Sequence, residues 1–231
     1  MPASHQPLYN AIKAKILLLL PELTRLKQER TLKADDSYVT QADILVQETL
    51  HSLITTCDPK ALLVSEEDLA SHGTTALNGS VYVLDPIDGT ENFTSGLPEW
   101  GISLSHYSNG KHVASMLACP ELGYWLQSGE SWPRFTSRIR GLSSSLGKNE
   151  FEKLENGIEY RIMGCCVYNL LSVLRGSFQS FENPKGANTW DILAGLNLAL
   201  EAGLQVSVDG KAYTGELLPP GKKYRFKISN P

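Results

Sequence analysis

Val81-Tyr82-Val83-Leu84-Asp85-Pro86-Ile87-Asp88-Gly89-Thr90 is the stretch on which the reading of this chain turns. Four apolar residues in a row predict a short, buried strand. Two carboxylates follow, three positions apart, with Pro86 before the second and Gly89-Thr90 after it. Pro fixes φ and Gly tolerates conformations that other residues avoid, so residues 85–90 read as a tight Pro/Gly turn at the end of the strand.

Upstream, apolar residues at helical spacing (Leu8, Ile12, Ile16, Leu19, Leu23, Leu26) predict an amphipathic helix over 8–28, interrupted or bent near Pro21. A polar stretch, 33–37, precedes a second helix from about Thr40 to Thr56, with a start signal of capping-box type in Thr40 and Asp43. Ala61 to Ser65 reads as a buried strand and 71–80 as a polar loop. Downstream, 100–107, 112–118 and 122–127 read as successive strands, with Ser108-Asn109-Gly110 as a hairpin turn. Residues 136–157 are polar and give no periodic signal. Strands at 160–163 and 178–181, helices at 167–175 and 189–202, and strands near 204–208 and 223–229 complete the pattern. Hairpins mixed with separate helices argue an α+β fold in layers. The unpatterned middle divides the chain into 1–135 and 136–231, which we read as one compact catalytic unit, the first part carrying most candidate ligands.

The chain has 231 residues, 42% hydrophobic and 20% charged, which is ample for a core. A net charge of −4 and an isoelectric point near 5.8 give no global attraction for nucleic acid or anionic membrane. A phosphorylated partner must therefore be held locally. Cys57, Cys119, Cys165 and Cys166 lack metal-type spacing and read as reduced thiols. The apolar run Ile16 to Leu20 is too short for a membrane span or signal core, so a soluble, cytoplasmic protein is expected.

Acidic residues sit at three element ends: Glu66-Glu67-Asp68 after one strand, Asp85 and Asp88 after the next, and Asp191 in the first turn of the last long helix. Clustered carboxylates repel unless cations compensate. Oxygen ligands select hard ions such as Mg²⁺, and two such ions can activate water and stabilise a leaving oxygen in phosphoryl transfer. Taken singly, each segment has a plainer reading: a solvated loop, an Asp-capped turn, a carboxylate complementing a helix dipole, and for Asp43 a reciprocal cap.

Taken together they resemble the inositol monophosphatase superfamily. The resemblance rests on Asp85-Pro86-Ile87-Asp88-Gly89-Thr90 with Asn92-Phe93, on Val39-Thr40-Gln41-Ala42-Asp43, on Ser65-Glu66-Glu67-Asp68, and on Trp190-Asp191-Ile192-Leu193-Ala194-Gly195 with Glu201-Ala202-Gly203. It spans about 33–210 and implies a layered α-β-α-β-α fold and a Mg²⁺-dependent, Li⁺-sensitive phosphatase.

By that resemblance, Glu66, Asp85 and the Ile87 carbonyl bind one Mg²⁺, and Asp85, Asp88 and Asp191 a second; a third, weaker ion near Glu66 is allowed. The turn would aim both Asp side chains and one carbonyl at a common point. Thr90 with Asp43 resembles the dyad that orients and deprotonates the attacking water, Glu66 being grouped with them as catalytic. Asp88, Gly89, Thr90, Gly164, Cys165, Glu182 and Asp191 are the implied substrate contacts. The partner is a small phosphorylated metabolite, and a homodimer is one assembly that the resemblance permits.

For the substrate, Asn92-Phe93 and Ser95 to Pro98 look like the branch acting on inositol and sugar monophosphates. Residues 33–37 and 65–68 look like the branch acting on adenosine 3′,5′-bisphosphate. Gly96 to Gly101 resembles phosphatases for histidinol phosphate. A catalytically silent relative is the alternative of another class. The chain departs from the family in lacking the glycine-rich stretch after 122–127, in a short middle over 130–157, and in the placing of Glu182, two residues further from Asp191.

Overall fold

The computed structural model describes residues 5–32, 38–67, 78–144 and 146–230. Helix α1 spans Gln6–Arg25, followed by a 3-10 turn, Leu26–Gln28. It runs through Pro21 without interruption, so of the expected interruption or bend there the interruption does not occur. Short strands β1 (Arg30–Leu32) and β2 (Tyr38–Thr40) pair antiparallel, an element that three residues of each strand gave no pattern to reveal. Helix α2 spans Gln41–Cys57 and opens with the expected capping box: Thr40 Oγ1 accepts from the Ala42 and Asp43 N–H groups, and the Asp43 carboxylate accepts from the Thr40 N–H.

Next come β3 (Leu62–Ser65), β4 (Ser80–Asp88), α3 (Thr90–Thr94), β5 (Gly101–Ser108), β6 (Lys111–Cys119) and β7 (Tyr124–Gln127). Among the described residues they form a five-stranded sheet of order β3-β4-β5-β6-β7, with β3 and β4 parallel and the rest antiparallel. The β5–β6 turn is the expected two-residue hairpin, with Asn109 and Gly110 both at positive φ, 50° and 74°. Strand β4 is buried on both faces. Val81 and Val83 enter one core and Tyr82 and Leu84 the other, which is why its sequence is apolar throughout rather than alternating.

The second half supplies β8 (Arg140–Leu142), α4 (Lys148–Phe151), β9 (Tyr160–Ile162), α5 (Cys166–Leu174), β10 (Ser180–Ala187), α6 (Thr189–Glu201), β11 (Gln205–Val208), β12 (Lys211–Ala212) and β13 (Tyr224–Ser229). The described strands form a six-stranded sheet of order β12-β11-β13-β10-β8-β9. Residues 136–157 thus contain a strand and a helical turn.

The layers follow from the cores. Helices α1 and α2 pack on one face of the five-stranded sheet. Helices α5 and α6 fill the space between its other face and the second sheet. The outer face of the second sheet carries alternate polar residues, as in β13, where Tyr224, Phe226 and Ile228 point in and Arg225 and Lys227 out. This is the α+β layering expected from the sequence. No helix among the described residues is long and apolar enough to cross a membrane.

Candidate active site

The site lies where β3, β4, α5 and α6 bring their ends together. The segment 85–88 is not a free turn. It continues β4, with Asp85 opposite Ser103 and Asp88 opposite Gly101 on β5, so that β4 carries one residue more than its partner. This bulge re-aims the chain between the two carboxylates. Gly89 follows at φ +80°, and a Cβ there would stand 2.8 Å from the Cys165 Cβ, so only glycine allows the start of α5 so close.

Glu66, directly after β3, Asp85 on β4 and Asp191 on α6 each offer a carboxylate oxygen, all within 4.8 Å of one another. Asp85 is 1% exposed, and its Oδ1 has no hydrogen-bond partner among the described residues. Asp191 is the third residue of α6; its Oδ2 accepts from the Asn188 N–H at 2.7 Å, which fixes its rotamer as a cap would. Ser103 Oγ donates to the Trp190 carbonyl at 2.8 Å and ties the start of α6 to β5. Asp88 lies beside this trio. Its Oδ2 accepts from the Cys165 thiol at 2.8 Å and the Val167 N–H at 2.6 Å, at the start of α5.

Electrostatics mark the same residues. Burial first, then the charges of Glu66, Asp88, Asp191 and Asp43, push the Asp85 carboxyl well above the carboxylate range. Burial, then Asp88 and Glu66, push Asp191 up as well. Burial raises Asp88 to about 6, while the Cys165 thiol and the N–H groups of Val167 and Cys166 pull it back. No Lys or Arg pairs with Asp85, Asp88 or Asp191 among the described residues. Buried carboxylates this close, without an organic cation, fit a hard divalent cation.

The other expected residues fall as follows. Asp43, 1% exposed, receives both the N–H (2.7 Å) and the hydroxyl (2.6 Å) of Thr40 on Oδ2, so the capping role is realised. Thr90 opens α3, which packs against β2, and its hydroxyl donates to the Ile87 carbonyl at 3.0 Å. Ile87 itself is fully buried. Gly164, at φ +74°, lies against Asn92, whose Nδ2 donates to the Met163 and Glu99 carbonyls. Cys165 is the N-cap of α5. Asp68 falls outside the described residues.

Glu182 is not brought to the site. Its carboxylate lies 3.4 Å from Lys227 Nζ, and with Arg225 it lines a separate groove on the outer face of the second sheet. The cause is strand parity: on β10, Phe181 and Asn183 face the site and Glu182 faces away. In its place a cavity of about 200 Å³ beside Asp88 and Asp191 is walled by Asn169, Asn183 and Lys223, which the sequence reading did not single out. Continuing the 178–181 strand past Phe181 would have placed Asn183 by parity. No local signal marks Lys223.

With this geometry in place, comparison with known proteins adds the lineage. The inositol monophosphatase family model matches residues 6–132. A fructose-1,6-bisphosphatase/inositol-1-monophosphatase of Thermotoga maritima is 30% identical over 186 residues, covering 73% of this chain and 70% of the relative. The solved structure of a Thermotoga maritima IMPase matches with a TM-score of 0.80 at 26% identity, over 97% of this chain and 92% of that one. A structure of an IMPase/NADP phosphatase, complexed with Mg²⁺ and phosphate, matches with a TM-score of 0.82 at 22% identity, over 97% and 90% of the two chains, a likeness of fold. The family model alone takes in more than half of the chain, and the chain belongs to the inositol monophosphatase family as a phosphoric monoester hydrolase.

Proposed function

We propose that the chain is a Mg²⁺-dependent phosphatase that hydrolyses a small inositol or sugar monophosphate by direct attack of water. One observation carries this: Glu66, Asp85 and Asp191 gather carboxylate oxygens within 4.8 Å around a buried Asp85. The inositol and sugar substrates named for the Thermotoga maritima relative support the same class.

Glu66, Asp85 and Asp191 would hold the cation, with Asp88 and the Ile87 carbonyl completing the set. When bound, Mg²⁺ supplies Lewis acidity toward phosphoryl oxygens and lowers the pKa of water. The N–H groups of Gly89 and Thr90 face the incoming phosphate. Asp43 and Thr90 form the pair that takes the proton from the attacking water, and the Thr40 cap fixes the Asp43 carboxylate. Asp88 and Asp191, beside the cavity in which the alcohol leaves, would hold the cation that offsets charge on the leaving oxygen. The parts 1–135 and 136–231 act as one catalytic unit, since each contributes ligands.

The test is phosphate release from inositol 1-phosphate and fructose 1-phosphate, with Mg²⁺, with excess chelator, and with added Ca²⁺ or Li⁺. Turnover needs Mg²⁺ and falls with either added ion, Ca²⁺ because it prefers more ligands at longer distances. Full activity in chelator refutes the proposal.

A further inference from the structure

We propose that Lys27 is a positioning residue of the reaction: together with Glu121 it clamps the segment 92–100 and so fixes the helix that carries Thr90. This rests on the phosphatase reading above and on the pairing of Asp43 with Thr90 within it.

Lys27 is the one buried lysine or arginine among the described residues. Its side chain is 9% exposed, against 46–87% for the paired lysines Lys148, Lys185, Lys222 and Lys227. It lies in the 3-10 turn after α1, which packs on α3. Its Nζ donates to the Leu97 carbonyl at 3.1 Å and lies 2.6 Å from Glu121 Oε2. The same ammonium stands 5.5 Å from the centre of the Phe93 ring. Glu121 comes from the turn Pro120–Leu122 between β6 and β7, and its Oε2 also accepts from the Trp100 Nε1–H. Trp100 meets Phe93 edge to face at 5.0 Å.

These contacts all converge on one stretch of chain. Thr90 opens α3 and Phe93 lies in it. Leu97 and Trp100 follow on the way to Gly101, the residue opposite Asp88 on β5. A helix of five residues cannot hold itself, so its direction is set by whatever it is pinned to. On one side α3 packs against β2, whose last residue, Thr40, fixes Asp43. On the other, Lys27 ties the loop after α3 to the end of α1 and, through Glu121, to the sheet.

A buried ion pair brings little net stability over apolar side chains of the same size. What it adds is direction, because the ammonium donates at once to a carbonyl and a carboxylate that come from different elements. Methionine could fill the same space against Phe93, but it would leave Leu97 and Glu121 without their common partner. The plainer role is stability alone, and the two roles separate in kinetics.

The experiment measures kcat, KM and Tm at saturating Mg²⁺, on the better of inositol 1-phosphate and fructose 1-phosphate. The variants are Glu121→Gln and the double change Lys27→Met with Glu121→Gln, each made with Thr90 present and in the Thr90→Ala background. The double change keeps an acceptor for Trp100 and leaves no charge unpaired, so it should melt near wild type. Its kcat should fall about ten-fold or more, the scale of a small misplacement, with KM changed less than about two-fold. In the Thr90→Ala background the same change should lower kcat less than about two-fold, because the group that Lys27 positions is already gone. Should the double change melt well below wild type, Glu121→Gln alone carries the same comparison between backgrounds. A folded variant that keeps wild-type kcat, or that loses the same factor with and without Thr90, overturns the inference while the phosphatase reading stands. Wild type that releases no phosphate with Mg²⁺, or releases it fully in chelator, refutes the phosphatase reading itself.

Discussion

Replacing Asp85 by Asn should abolish turnover and, without metal, make the protein more stable. Its carboxylate oxygen shares a site with those of Glu66 and Asp191, all within 4.8 Å. Two unit charges at that distance repel by about 3.5 kcal/mol at an effective dielectric constant of about 20. Proton uptake limits how much of this is felt. Asp88, raised from 3.8 to about 6, illustrates the scale: the ionised group is disfavoured by about 3 kcal/mol well above pH 6. Removing one charge from the cluster should therefore return about 1–3 kcal/mol to the metal-free protein. For a chain of this size that is a rise in Tm of about 2–12 °C.

The sign depends on pH. A carboxyl whose pKa is raised by folding contributes stability that is fully present below its ordinary pKa and is lost as pH rises through the raised value. Metal-free wild type should lose stability from about pH 4 upward, and the advantage of Asp85→Asn should be absent near pH 4 and grow toward pH 7.5. Mg²⁺ should reverse the order, stabilising the wild type by mass action and the variant far less. Thermal melts of both proteins at several pH values, in chelator and in Mg²⁺, with turnover beside them, decide the matter. A metal-free variant that melts below wild type at pH 7.5, or one that keeps wild-type turnover, refutes the reasoning.

His106 stacks on Tyr82 at 4.2 Å and bonds Ser80, and burial holds its pKa down at about 4, so the fold should lose up to about 3 kcal/mol as pH falls from 6.5 toward 4. His106→Gln should flatten that slope in acid melts. Gly89→Ala should lose more than about 2 kcal/mol and weaken Mg²⁺ binding, because φ is +80° and the new Cβ meets Cys165 at 2.8 Å; melting temperature and metal titration read both effects. Asp43→Asn and Thr90→Ala should each lower kcat by about 10²-fold with metal binding intact, and the double variant should be little worse than either. If Asp43 is only a cap, Asp43→Asn instead lowers Tm, by the equivalent of about 1 kcal/mol, and spares kcat.

What could be read from the sequence was what depends on local chemistry. The Thr40–Asp43 box, the Asn109-Gly110 hairpin and the helices at 40–56, 167–175 and 189–202 are encoded within a few residues, and appear to within a residue or two of their expected bounds. The segment 85–88 was mistaken for a turn because Pro and Gly speak for turns locally. Its place in β4 depends on pairing Asp88 with Gly101, a partner that no local rule supplies. Strand β8 is likewise invisible alone: Arg140–Leu142 becomes a strand by lying parallel between β9 and β10. Glu182 was carried over by the resemblance, and the strand that holds it overrules the carry-over. Once β10 is known to run to Ala187, alternation decides which residues can face the site.

The same contrast between local and distant partners separates the two aspartates of the motif. Asp88 has compensation built into the protein: a thiol and a backbone N–H at the start of the nine-residue helix α5 hold one of its oxygens, and its pKa rises only to about 6. Asp85 is more deeply buried, keeps an oxygen without a partner among the described residues, and faces Glu66, Asp88 and Asp191. Two carboxylates three positions apart are thus placed in opposite situations by the bulge in β4, one supported by a helix and one left for a cation. In a strictly alternating strand, side chains three positions apart point to opposite faces of the sheet, and the extra residue in β4 is what lets both reach one site. The irregular pairing is therefore what makes a short acidic motif into a single site.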